Sequence, residues 1–103
     1  MSMILGVIPA RYASSRFPGK PLVDIMGKSM IQRVYVQAKK SKMLDEVVVA
    51  TDDERIFNHV KKFGGQAVMT EANHPSGTDR CFEAFKKSGK NYSYIINIQG
   101  DEP

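Results

Sequence analysis

The six residues Glu46-Val-Val-Val-Ala-Thr51 constrain the fold more than any other stretch of the chain. A β-branched run of strand length with no polar alternation belongs to a strand buried on both faces. Such strands lie inside parallel sheets covered by helices. Successive parallel strands need a crossover between them, usually a helix, so the flanking sequence must supply helices. From Ser29 to Lys40, the residues Met30, Ile31, Val34, Tyr35 and Ala38 recur at helical spacing opposite Gln32, Arg33, Gln37 and Lys39. Thr51-Asp-Asp-Glu54 reads as a capping box opening a second helix, with Ile56, Val60 and Phe63 inward and Gly64-Gly65 as its left-handed close. Ser76-Gly-Thr-Asp79 repeats the cap signature before a third helix, whose predicted inner face is Cys81, Phe82 and Phe85 and which Gly89 stops.

The remaining apolar runs complete the pattern. Ile4 to Ile8 is predicted as a first strand ended by Pro9, Gln66 to Met69 as a third and Tyr94 to Ile98 as a fourth, while Asp24 to Gly27 reads as a turn. The order β-α-β-α-β-α-β with short connections predicts an α/β fold with a doubly wound parallel sheet and right-handed crossovers. Ligands of such sheets sit beyond the carboxyl ends of the strands. Four polar segments fall there: the stretch after the first strand, Thr51-Asp52-Asp53, His74 to Arg80, and Gln99-Gly-Asp101.

The first of these carries the most chemistry. Ile8-Pro-Ala-Arg-Tyr-Ala-Ser-Ser-Arg-Phe-Pro-Gly-Lys-Pro-Leu22 holds three cations, Arg11, Arg16 and Lys20, and little that could form a core. Arginine binds phosphate oxygens bidentately and lysine acts as a point charge, so the loop suits a triphosphate. Gly19 lets backbone approach the ligand, and Pro18 and Pro21 fix the turn around it. The loop is not a Walker motif, because Ser14 and Leu22 stand where the first glycine is required before Gly19-Lys20 and Gly27-Lys28. No Gly-x-Gly-x-x-Gly supports a dinucleotide either. Read by composition alone, a solvated basic loop accounts for the stretch about as well.

Asp101, directly after the fourth strand, is placed to hold Mg²⁺ against phosphate oxygens, with Glu102 in reserve. An exposed acidic turn is the bland alternative. Ser76 to Arg80 reads as a helix cap with an exposed arginine, whose free N–H groups point to the ligand edge. His59 is read as a helix-surface residue, His74 as loop, and Cys81 as a small core residue. One cysteine excludes an internal disulfide framework and a multi-Cys metal site.

A net charge of +4 suits an anionic partner. The lysine pairs, however, fall near helix ends, and no arginine-rich stripe with interleaved aromatics points to nucleic acid. No apolar run approaches the ~20 residues needed to span a bilayer. The first residues read as a strand rather than a signal peptide, so the expected location is the cytoplasm.

Three motifs in order, Ile8 to Leu22, His74-Pro-Ser-Gly-Thr-Asp-Arg80 and Asn97-Ile-Gln-Gly-Asp-Glu-Pro103, with Val49-Ala-Thr-Asp-Asp53 between them, resemble the N-terminal part of the 3-deoxy-manno-octulosonate (KDO) cytidylyltransferases, the CMP-KDO synthetase family. The related CMP-sialic acid synthetases share the Ile-Pro-Ala-Arg start but diverge before Phe-Pro-Gly-Lys-Pro-Leu. The resemblance implies a Rossmann-like sheet of the nucleotide-diphospho-sugar transferase type, of which residues 1–103 are the CTP-binding portion. It implies that CTP and KDO give CMP-KDO and pyrophosphate for lipopolysaccharide synthesis. Arg11, Lys20 and Asp101 are then the catalytic groups, with Arg11 and Lys20 on the triphosphate and Arg16 nearby. Pro9, Ala10 and Ser76 border the cytosine with Arg80 assisting, Gln99 faces the sugar, and Asp101 takes Mg²⁺. Family members continue past this motif, so the sugar-binding and dimer-forming portion is expected to be absent and the chain alone inactive. The alternatives are the same reaction on another acidic sugar and a non-catalytic nucleotide-binding module.

Overall fold

The computed structural model describes residues 3–12, 20–71, 77–89 and 92–98. Its elements run β1 (Ile4–Ala10), a 3₁₀ turn (Lys20–Leu22), β2 (Asp24–Ile25), β3 (Lys28–Ser29), α1 (Met30–Lys39), β4 (Glu46–Thr51), α2 (Glu54–Lys62), β5 (Ala67–Met69), α3 (Gly77–Ser88) and β6 (Tyr94–Asn97). Four strands form one sheet in the order β5-β4-β1-β6, and every pairing in it is parallel.

The β-branched run becomes β4, an inner strand with Val47, Val49, Ala50 and Thr51 almost wholly buried. Its alternate side chains serve two cores. Val47 and Val49 join Ile8, Ala10, Ile31, Val34, Ile56 and Val60 beneath α1 and α2. On the opposite face Ala50 joins Leu5, Val7, Cys81, Ala84 and Tyr92 beneath α3, with Val48 packed against them. Helices on both faces make the sheet doubly wound. Each fully buried Val or Ile contributes about 1.5–3 kcal/mol, so both cores are needed. Burial pushes the Cys81 thiol up to about 11, as befits a core residue.

Several boundaries differ from the sequence reading. β1 continues through Pro9 to Ala10. The Val7 carbonyl accepts from the Ile98 N–H on the β6 side. Pro9, two residues on, points its nitrogen the same way, beyond the last paired residue of β6, where a missing donor breaks no ladder bond. The first turn of the second helix is capped by Asp53 rather than Thr51, which stays in the strand with its partners Ala10 and Met69. On α3, Ala84 takes the inward position beside Cys81, and Phe82 is 53% exposed beneath Lys86. No helix among the described residues is long and apolar enough to cross a membrane.

The expected turn at Asp24 to Gly27 is a two-residue hairpin between β2 and β3. Met26 and Gly27 both have positive φ, 53° and 94°, and Asp24 Oδ1 accepts from the Gly27 N–H at 2.9 Å. Two left-handed residues in succession define the I′ turn, for which asparagine followed by glycine is the favoured pair. Met26 is 94% exposed and gains no packing for its strained backbone. Met26→Asn therefore raises the unfolding free energy by ~0.5–1 kcal/mol, read from the urea midpoint.

Candidate active site

β1 is the strand at which the chain reverses its direction of travel across the sheet. From it the chain moves outward through β4 to β5, then returns through α3 to β6 on the other side of β1. A crevice opens at the carboxyl ends on either side of such a switch point. Pro9 and Ala10, the last residues of β1, lie there, with Ala10 buried in the α1/α2 core and Pro9 half-buried. Arg11 follows immediately and is exposed. Ala10 pairs with Thr51, so Arg11 and Tyr12 leave the sheet beside Asp52 and Asp53.

Asp53 organises that corner. Its Oδ1 accepts from the backbone N–H groups of Arg55 and Ile56 at 2.8 and 3.3 Å, capping α2. The Arg55 side chain adds two bonds, Nε to Oδ1 at 3.1 Å and Nη2 to Oδ2 at 2.8 Å. That side-chain bonding is the main reason the Asp53 carboxyl titrates below its ordinary value, against an opposing effect of partial burial. Thr51 Oγ1 accepts from the Asp53 N–H at 3.2 Å, tying the cap to the end of β4. The Arg55 guanidinium lies 3.2 Å from the centroid of the Tyr12 ring.

Arg80 is the larger surprise. It is 1% exposed, not the exposed cap residue the sequence predicts. Nη1 donates to Thr70 Oγ1 and to the Glu71 carbonyl at 2.9 Å, while Nη2 sits 4.0 Å from Asp52 Oδ2. One buried cation therefore ties α3 to the chain leaving β5 and to the chain leaving β4. His59 also departs from the surface reading. Its Nε2 is 2.6 Å from the Oγ of Ser29, the residue capping α1, and Phe63 packs against the imidazole. Burial, with Lys62 nearby, lowers the His59 pKa.

Of the residues singled out from sequence, the structure gathers Pro9, Ala10 and Arg11 at the switch point, while Arg80 braces the neighbouring strand ends. Lys20 opens the 3₁₀ turn, which packs against α1 and α2; its side chain lies outside the described residues. Arg16, His74, Ser76, Gln99, Asp101 and Glu102 also lie outside them. Among the described residues no group of three or more His, Cys, Asp or Glu could hold a metal ion. Tyr12, Asp53 and Arg55 were not picked out as an interacting group, because the β1–β4 register that brings them together is invisible in a single chain.

The cytidylyltransferase family model matches residues 5–103. The chain belongs to the cytidylyltransferase family. Within it, the chain is 65% identical over 103 residues to a 3-deoxy-manno-octulosonate cytidylyltransferase of Parabacteroides distasonis, covering 100% of this chain and 40% of the relative. The enzyme of the same name from Leptospira interrogans is 61% identical over 103 residues, covering 100% of this chain and 41% of that protein. The fold superposes with a TM-score of 0.93 and 54% identity on a CMP:2-keto-3-deoxy-manno-octonic acid synthetase complexed with CTP, over 99% of this chain and 42% of that one. A cytidylyltransferase from Leptospira borgpetersenii matches with a TM-score of 0.78 at 27% identity, over 98% of this chain and 42% of its own. This cytidylyltransferase chain thus spans about 40% of the length of the curated relatives it matches.

Proposed function

We propose that the protein carrying this chain is a CTP-dependent 3-deoxy-manno-octulosonate cytidylyltransferase, giving CMP-KDO and pyrophosphate. The observation that carries this reading is the 0.93 TM-score at 54% identity to the CTP-complexed synthetase. The switch-point crevice bordered by Pro9, Ala10 and Arg11 supports it. In this reading the residues named from the motifs act by position and charge. The backbone of Pro9 and Ala10, with Ser76, borders the cytosine. Arg11 and Lys20 neutralise the triphosphate with Arg16 nearby, and Gln99 faces the sugar. Arg80 acts from behind, fixing Thr70 and Glu71 at the end of β5.

The anomeric hydroxyl of KDO attacks the α-phosphorus in line and pyrophosphate departs. Charge builds on the departing phosphates, so fixed cations lower the barrier without a protein nucleophile. Asp101 is the residue for Mg²⁺. Ile98 bonds Val7 and so brings the chain to the carboxyl edge beside β1, and a carboxylate three residues further on is the hard oxygen donor this cation prefers. Held by Asp101, Mg²⁺ would supply positive charge to offset that of the phosphates. The product feeds lipopolysaccharide assembly, and the whole protein is a cytoplasmic homodimer.

The test is pyrophosphate release by the whole protein with CTP and Mg²⁺, with KDO and sialic acid supplied in parallel. Release dependent on KDO is expected. Release with sialic acid alone, or CTP binding without release on either sugar, overturns the reading.

A further inference from the structure

Arg55 lies outside every motif that marks the nucleotide site, yet its side chain ties that site to the body of the fold. We infer that it is a positioning residue, holding Tyr12 so that Arg11 leaves β1 in a fixed direction toward the phosphates. This rests on the proposed reaction and adds a residue to it.

The geometry is a chain of short contacts across the gap between two strand ends. Thr51, buried in β4, accepts from the Asp53 N–H; Asp53 caps α2 and grips the Arg55 guanidinium with both carboxylate oxygens. The guanidinium then covers the Tyr12 ring at 3.2 Å from its centroid, and Tyr12 also packs against the α1/α2 core. Held between core and cation, Tyr12 has little rotational freedom. Arg11 is covalently adjacent, so its backbone inherits that restraint. A planar guanidinium can bind a carboxylate edge-on and stack on a ring face at once, which an ammonium cannot do.

The bland reading is a surface ion pair at a helix end, since the Arg55 side chain is 59% exposed. Pairs of that kind contribute little. They do not, however, place a cation on the ring beside a phosphate-binding residue. With its fork engaged by Asp53, Arg55 is not itself placed as a phosphate ligand. Its effect on the nucleotide must pass through Tyr12, and that route makes the inference testable.

The experiment compares Arg55→Ala, Tyr12→Leu, Tyr12→Phe, Arg55→Lys and the Arg55→Ala/Tyr12→Leu double variant in the whole protein. It reads the KM for CTP, kcat, the calorimetric Kd for CTP with Mg²⁺, and the urea midpoint. Arg55→Ala is expected to raise the KM and Kd for CTP about fivefold with kcat within about twofold, a difference a purely structural ion pair would not produce. Tyr12→Leu gives a similar rise, Tyr12→Phe restores most of the affinity because it keeps the ring face, and Arg55→Lys restores only part. The double variant stays near the larger single effect, because both substitutions break one contact.

An unchanged KM and Kd in Arg55→Ala overturns the inference. So does a double variant whose effects multiply to about twenty-five-fold. A parent protein that binds CTP without turning it over overturns the reaction, and Arg55 is then judged on Kd alone. A parent that binds no CTP overturns both.

Discussion

Arg80→Leu is expected to destabilise the protein by ~3 kcal/mol, seen as a fall in the urea midpoint with little change in slope. The substitution keeps much of the packing but removes the donors on which two strand ends depend. Thr70 Oγ1 and the Glu71 carbonyl lose their bonds, and Asp52 loses the cation 4.0 Å away. Thr70 is itself only 7% exposed, so water replaces the lost partner poorly. Arg80→Lys keeps one nitrogen for Thr70 and Glu71 but has none in the place of Nη2 beside Asp52, and recovers part of the loss. A midpoint in Arg80→Leu equal to that of the parent would falsify the brace.

The second large effect is on turnover. Arg11→Ala is expected to lower kcat/KM for CTP by about a hundredfold in the KDO-dependent reaction. Because Arg11 is exposed, the same variant changes the unfolding free energy by no more than ~0.5 kcal/mol. Activity and stability therefore separate in Arg11, while Arg80 must first be scored on stability. Arg11→Lys keeps the charge but loses the bidentate fork, and falls between parent and alanine. A kcat/KM for Arg11→Ala equal to the parent's removes Arg11 from the phosphate site.

The architecture was legible wherever burial has a period. The Val47-Val48-Val49 run announced a strand covered on both faces, and the spacing of Met30, Ile31, Val34, Tyr35 and Ala38 marked the buried stripe of α1. The motif residues Pro9, Ala10 and Arg11 were read at the right edge of the sheet for the same reason. What was not legible depended on register or tertiary pairing. Thr51 satisfies the capping pattern as well as Asp53 does, and only its pairing with Ala10 and Met69 keeps it in the strand. Arg80 has the composition of a surface residue, and Thr70 and Glu71 make it a buried one. His59 sits on a polar helix, and its bond to Ser29 comes from a different helix end. Phe82 and Ala84 are both apolar on α3, and which of them faces inward follows from where the helix settles on the sheet.

The position of β1 between β4 and β6 also sets an order in time. Ile4 pairs with Tyr94 and Leu5 with Ile95, so β1 meets one of its neighbours only after about 90 further residues have been made. At ordinary elongation rates that gap is roughly 5–20 seconds. During it β4 and β5 can assemble on one side of β1 while the other edge stays open. Such distant parallel pairings are intrinsically slow to form. The edge between β1 and β6 consequently closes after the β1–β4 and β4–β5 pairings, and a nascent chain acquires that side of its scaffold before the crevice beside Pro9 and Ala10 is complete.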